Sequence, residues 1–387
     1  MAQDDVIRAI GQRVRSVRER LRMTQETVAE RLGIPRSAVS DLETGKREIS
    51  ATELFGLADL FSEPVDELLG IGEPSPDAEL VMLRAQEVTS ESRLALKRFL
   101  QGCREYLELE QLTGERREAD LRSPRTILTT FEQARRLADD ERRRLELGAT
   151  PAHLLIPVLE ERVGVKVLFM TLDESLSGAS IRSRTFGPAM LVNRSHVPGR
   201  RVFTAAHEYF HLLTEGRVAG SKGPEALHVC SPPDGGRKDR ADQLADQFAA
   251  RLLLPPDQFV EFLRGLENEQ HQVNPFDLNR VGKYFGVSTQ AVFVQMAVLG
   301  LVSWERYKKI YNDKAFQDRL MAERSGESGS EPQRFRNLAV KAHLMGQISR
   351  ARLAELLEVN IAEVGTIVDE VGGAGGSSDG LRLSLSR

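Results

Sequence analysis

The chain has 387 residues, 41% of them hydrophobic and 28% charged, with a formal net charge of −4. That length is enough for two or three domains. No apolar run approaches the roughly 20 residues of a membrane span, the start is acidic and polar rather than a signal peptide, and Cys103 and Cys230 make no disulfide framework, so a cytoplasmic globular protein is expected. The near-neutral charge gives no global pull toward nucleic acid, and any such binding must come from a local patch.

Residues 7–22 place Ile7, Ile10, Val14, Val17 and Leu21 on one side of a helix and Arg13, Arg15, Arg18, Arg20 and Arg22 on the other. Thr24 can cap a second helix, and Gly33 can end it in a left-handed conformation. A third short helix reads over 35–43, closed by Thr44, Gly45, Lys46 and Arg47. Two short helices joined by a glycine turn make a helix-turn-helix.

The core of this stretch, TQETVAERLGIPRSAVSDLETGKR, resembles the Xre family of phage-repressor-like DNA-binding domains. The resemblance implies a recognition helix at 35–43 with Arg36, Ser37 and Ser40 facing base edges. Gln25, Lys46 and Arg47 would hold phosphates, and a homodimer would sit on paired half-sites of a double-stranded operator. Asp41 and Glu43 keep a second reading open, in which the module contacts only protein.

Residues 72–76 have linker composition, and 77–112 form a long helical pattern with Leu80, Leu83, Leu94, Leu96, Phe99, Leu100, Tyr106 and Leu107 as apolar positions. Cys103 reads as a small buried hydrophobe. A helix over 126–146, rich in arginine and carboxylates, reads as a solvated face, and another helix spans 151–163. Short strands are expected at 165–170, 178–181 and 188–193.

Residues 204–213 contain His207-Glu208-x-x-His211 in an apolar, helix-compatible run flanked by Phe203, Ala205, Ala206, Leu212 and Leu213. Residues four apart share a helix face, so both imidazoles can reach one ion, with zinc the suited metal. Glu208 can stay off the metal and act as general base on a water. The bare pattern also occurs on ordinary helix surfaces, but buried histidines and a buried glutamate need partners. A third ligand must come from elsewhere, and the candidate stretch is the helix over 240–255, where Asp242 and Asp246 share a face, preceded by Asp239.

RRVFTAAHEYFHLL followed by DQLADQFAARLLLP resembles the ImmA/IrrE family of metallopeptidases over roughly residues 125–300. The resemblance implies a zincin-like fold, zinc on His207, His211 and Asp242, and Glu208 as catalytic base. It also implies cleavage of a helix-turn-helix repressor or antitoxin-like protein in stress or mobile-element responses. The chain departs from the family pattern at Asp242, where glutamate is usual and the arm is one methylene shorter, and at Phe210, where glycine is common.

His228, Tyr209 and Arg201 are candidates to stabilise a tetrahedral intermediate. His228 and Cys230 are otherwise alternative metal ligands, or residues of a mobile loop over 216–238 rich in Gly and Pro. His153, His196, His271 and His343 read as ordinary histidines. Residues 333–370 are helical; GQISRARLAELLEVNIAEVGTIV is weakly helix-turn-helix-like, either a second DNA reader or a packing or dimer bundle. Residues 372–378 read as flexible.

The expected fold is mostly α with an α+β domain. An N-terminal helix-turn-helix domain (1–70) and a helical linker (71–123) precede a zincin-like peptidase domain with a small sheet (124–310), and a helical C-terminal region (311–387) follows. Two functions remain open. One is a DNA-binding regulator whose zinc endopeptidase cleaves a repressor-like protein or the chain itself. The other is a non-proteolytic repressor or antitoxin, with a possible toxin partner, that uses the peptidase fold as sensor or scaffold.

Overall fold

The computed structural model describes residues 3–61, 63, 65–69, 90–173, 176–218, 227–230, 239–267, 273–274, 277–323 and 331–372. The readings of 72–76 as a linker, of Leu80 and Leu83 as helical apolar positions, of His271 as an ordinary histidine and of the residues after Gly372 as flexible fall outside the described residues. The molecule is mostly helical, with one small four-stranded sheet.

The first five helices are α1 (Gln3–Arg20), α2 (Gln25–Leu32), α3 (Arg36–Glu43), α4 (Ala51–Phe61) and α5 (Val65–Leu69). They close around Val14, Val17, Leu21, Val28, Val39, Leu42, Leu57, Phe61 and Leu68. The α2–α3 turn follows the sequence reading: Thr24 accepts from the Thr27 N–H, and Gly33 takes φ +66°, where a Cβ is strained. Glu43 is 3% exposed. It accepts from Arg18 Nε at 2.5 Å and Gln25 Nε2 at 2.9 Å, so its charge is neutralised inside the domain.

Helix α6 (Ser90–Thr113) leads to α7 (Phe131–Arg144), which opens on a Thr130–Gln133 capping box. The solvated face is present on Glu132, Arg136, Asp140 and Arg143, but it is not the whole helix. Ala134, Ala138 and Glu141 form a buried stripe, and Glu141 is held by the Tyr209 hydroxyl at 2.5 Å and by Arg144 at 2.7 Å. A buried carboxylate needs such partners, and Arg144 supplies the charge. Helix α8 (Ala152–Val158) runs into one π-helical turn, Leu159–Val163.

The sheet comprises β1 (Lys166–Met170), β2 (Gly178–Ser183), β3 (Gly187–Asn193) and β4 (His228–Cys230), in the order β1-β3-β2-β4. Strand β3 is parallel to β1 and antiparallel to β2, and β4 is antiparallel to β2. Successive side chains of a strand face opposite ways. Val167, Phe169, Met190 and Val192 therefore pack into the core shared with α9 (Pro198–Thr214), α10 (Arg240–Leu253) and the helices that follow. Leu168, Ala179, Ile181, Ala189 and Leu191 enter a second core on the other face.

Helices α11 (Pro256–Arg264), α12 (Leu278–Phe285), α13 (Thr289–Val298), α14 (Trp304–Tyr311) and α15 (Lys314–Glu323) extend the first core. Helices α16 (Arg334–Leu344), α17 (Arg350–Leu356) and α18 (Val364–Gly372) join α6 in the second, with Leu96, Phe99, Leu100, Leu338, Leu353 and Val364 buried together. The apolar positions of the weakly helix-turn-helix-like segment thus pack under the sheet. Arg334 and Lys166 both pair with buried Glu110, at 2.5 and 2.8 Å. Among the described residues, no helix is long and apolar enough to cross a membrane.

Candidate metal centre and DNA-facing helix

Helix α9 is buried along most of its length, and His207, Glu208 and His211 are 6%, 0% and 3% exposed. The four-residue spacing puts the two imidazoles on one face, with their Nε2 atoms 3.1 Å apart. Asp242, in the first turn of α10, brings Oδ1 to 3.5 Å from His207 Nε2 and 3.3 Å from His211 Nε2. An ion in tetrahedral coordination with bonds of about 2.0–2.1 Å has ligand–ligand edges of about 3.3–3.4 Å. The three atoms form a triangle of that size, so the donor set fits zinc.

Close packing of α10 on α9 meets the shorter reach of aspartate. Both helices bury alanines, Ala205 and Ala206 on one and Ala241, Ala245 and Ala249 on the other, and small side chains let backbones approach. Phe210 is fully buried and packs on Phe248 with ring centroids 5.4 Å apart; the phenyl is a core group that leaves the ligands in place. Asp239 caps α10, accepting the Asp242 N–H at 2.8 Å. Asp246 lies one turn beyond Asp242, its Oδ1 3.0 Å from His207 Nδ1. A proton on Nδ1 shared with a carboxylate turns the Nε2 lone pair toward the centre.

Burial works against charge on Asp242, but hydrogen bonds from His207 and His211 hold its carboxyl well below the usual range. For His207, burial favours the neutral ring, and Cys230, Asp242 and Asp246 outweigh it, raising its pKa. Burial, reinforced by Glu208, pushes the Cys230 thiol up.

Glu208 lies against β2. Ser180 Oγ donates to its Oε2 at 2.6 Å, while Oε1 is buried with no hydrogen-bond partner among the described residues. A Cβ on Gly178 would stand 3.0 Å from that Oε1 and 2.9 Å from Leu191 O, so the site requires glycine there. The β2 alternation, with Gly178 and Ser180 toward α9 and Ala179 and Ile181 away, was a signal in the sequence that went unused.

The loop reading for His228 and Cys230 is corrected, since both belong to strand β4. Pairing of Gly178 with Cys230 and Ser180 with His228 puts both on the α9 side of the sheet. The His228 ring stacks on His211 at 4.5 Å, and donor atoms of His207, His211, Cys230 and Asp242 all lie within 4.8 Å of one another. Tyr209 is engaged with Glu141 and Arg144. Arg201 pairs with Glu331 and lies over the Phe169 ring. Of the three candidates to stabilise an intermediate, only His228 stands at the centre. His153 Nε2 meets Tyr284 O, and His343 Nδ1 meets Ile348 O.

On α3, Arg36 and Ser37 are exposed and Ser40 is half-buried; Lys46 is exposed beyond its end. Among the described residues, Arg36 makes only a long, exposed 3.9 Å pairing with Glu26. Gln25 turns its amide to Glu43, and Arg47 donates to Glu53 at 2.6 Å, so these two side chains brace the domain.

Comparison with known proteins bears on both regions. Residues 14–68 match a family model described as helix-turn-helix, and residues 160–295 match a metallopeptidase-type model described as IrrE N-terminal-like domain. The chain is 39% identical over 57 residues, 15% of its length, to an uncharacterized transcriptional regulator in the ATPase CF(0) region of Rhodospirillum rubrum, and it spans 53% of that relative. The crystal structure of ComR from Streptococcus suis aligns over 96% of both chains at 14% identity, with a TM-score of 0.16 too low to carry an argument.

Proposed function

We propose that the chain is a transcriptional regulator that reads DNA through α3 and carries a zinc-dependent endopeptidase centre on α9 and α10. The observation that carries this is the His207–His211–Asp242 triangle with the unpartnered carboxylate oxygen of Glu208 beside it. His207, His211 and Asp242 would hold the ion. Zinc, when bound there, supplies a Lewis acid and makes water a nucleophile near neutral pH.

The chain's own residues do the rest. Asp246 fixes the His207 tautomer. Ser180 holds one oxygen of Glu208, which leaves the other to take a proton from water and pass it to the leaving amine. His228, stacked on His211, is the nearest candidate donor for a developing oxyanion.

The reading includes a repressor-like or antitoxin-like protein as substrate, or this chain's own helix-turn-helix module. It also includes a homodimer on paired half-sites in the cytoplasm. Arg36, Ser37 and Ser40 take base edges and Lys46 takes phosphate; Gln25 and Arg47 reach phosphate only by leaving their partners in the domain. Buried Glu43 removes one acidic objection to DNA. Incubation of the wild-type chain and of Glu208→Gln with helix-turn-helix proteins is the test. Cleavage by the first alone is expected, and equal cleavage by both overturns the role of Glu208.

One observation favours a second reading. Cys230 offers a fourth protein donor where an open centre needs water, as suits a sensor that regulates without cutting.

A further inference from the structure

We propose that Cys230 is a ligand of the metal, closing a His207–His211–Asp242–Cys230 set in the resting protein. The inference rests on the metal-binding half of the preceding reading and is independent of peptidase activity.

Three observations converge. Cys230 Sγ belongs to the group of four donor atoms that lie within 4.8 Å of one another. With bonds of about 2.3 Å to sulfur and 2.0–2.1 Å to nitrogen, a tetrahedral site has N···S edges of about 3.6 Å, within that span. The sulfur is placed by backbone structure. Cys230 pairs with Gly178 across the β4–β2 ladder, and its carbonyl accepts the Ser177 N–H at 2.8 Å. Register then aims the side chain at α9, with its sulfur within 4.8 Å of the donor atoms of His207, His211 and Asp242. The residue is 8% exposed, so the thiol faces the centre rather than solvent. The other cysteine, Cys103, sits in the core on the opposite face of the sheet.

A set of two imidazoles, one carboxylate and one thiolate is a closed zinc site of the structural kind, whereas hydrolysis needs one position for water. The Cys230 sulfur would take that position, beside Glu208. Cleavage at this centre then requires the thiolate to leave the metal, which exchanges a protein ligand for water.

Cobalt(II) titration of the full-length metal-free chain tests this, because thiolate ligation gives a near-ultraviolet charge-transfer band distinct from the visible ligand-field bands. The wild-type chain is expected to bind one cobalt with both features. Cys230→Ala and the closer isostere Cys230→Ser should keep the ligand-field bands, lose the charge-transfer band and bind zinc at least about tenfold more weakly. Ligand-field bands without charge transfer in the wild type would overturn Cys230 ligation and leave the three-ligand site standing. A charge-transfer band that survives in both variants would also overturn it. Failure of the wild type to bind cobalt would overturn the metal centre itself.

Discussion

Ser180 Oγ donates to Glu208 Oε2 at 2.6 Å, and the other carboxylate oxygen is left buried and unpartnered among the described residues. One oxygen is tethered and the other left open on a rigid element, the arrangement that the proposed general-base role requires. Ser180→Ala should lower cleavage about tenfold with metal content unchanged, since outer partners typically contribute that much. Glu208→Gln should lower it by about 10²–10⁴-fold. Steady-state cleavage rates on metal-quantified samples check both, and metal loss in either variant would show a ligand role instead.

Asp246 is 3.0 Å from His207 Nδ1 and orients that ring. Asp246→Ala should weaken zinc binding about 10–100-fold without removing a ligand. Competition with a fluorescent chelator gives the affinity. An unchanged value would mean that packing alone fixes His207.

For DNA, exposed Arg36 and Lys46 should behave differently. Arg36→Ala should cost about 1–3 kcal/mol and relax preference at one base position, whereas Lys46→Ala should weaken all sequences alike and lower the salt slope by about 1. Binding isotherms at several salt concentrations separate the two. A sequence-independent loss for Arg36 would remove it from the major groove.

Glu160, in the turn after α8, is 2% exposed and accepts the backbone N–H of Gln333 at 3.0 Å. Burial raises its pKa from 4.5 to about 7, against the hydrogen bonds from Gln333 and Arg334 that pull it down. The folded chain thus holds this proton to higher pH than the unfolded chain does. The stabilising contribution is full below pH 4.5 and is lost as pH rises to about 7. It amounts to roughly 3 kcal/mol. Glu160→Gln keeps an acceptor for the two amides and should flatten that slope in denaturant titrations at pH 5 and 8. A parallel slope in the variant would assign the pH dependence to other groups.

Much of the fold was legible because its signals are local. Thr24 and Gly33 mark their helix ends by capping chemistry, and the spacing of His207 and His211 needs only helix geometry. Asp242 came from the resemblance, and the distances support it. Strand β4 was illegible for a physical reason. Three residues with a single branched apolar side chain, Val229, show no alternation of their own, and their identity as a strand comes from pairing with β2. The inward turn of Glu141 was hidden similarly, since its partner Tyr209 lies on another helix.

The central claim is a metal held by His207, His211 and Asp242. Its most direct test is zinc per chain by elemental analysis after dialysis, for the wild type and for Asp242→Ala. One zinc per wild-type chain, with most of it lost in the variant, is the expected result. A wild-type chain that holds no zinc even after incubation with the ion would contradict the claim, as would a variant that retains a full equivalent.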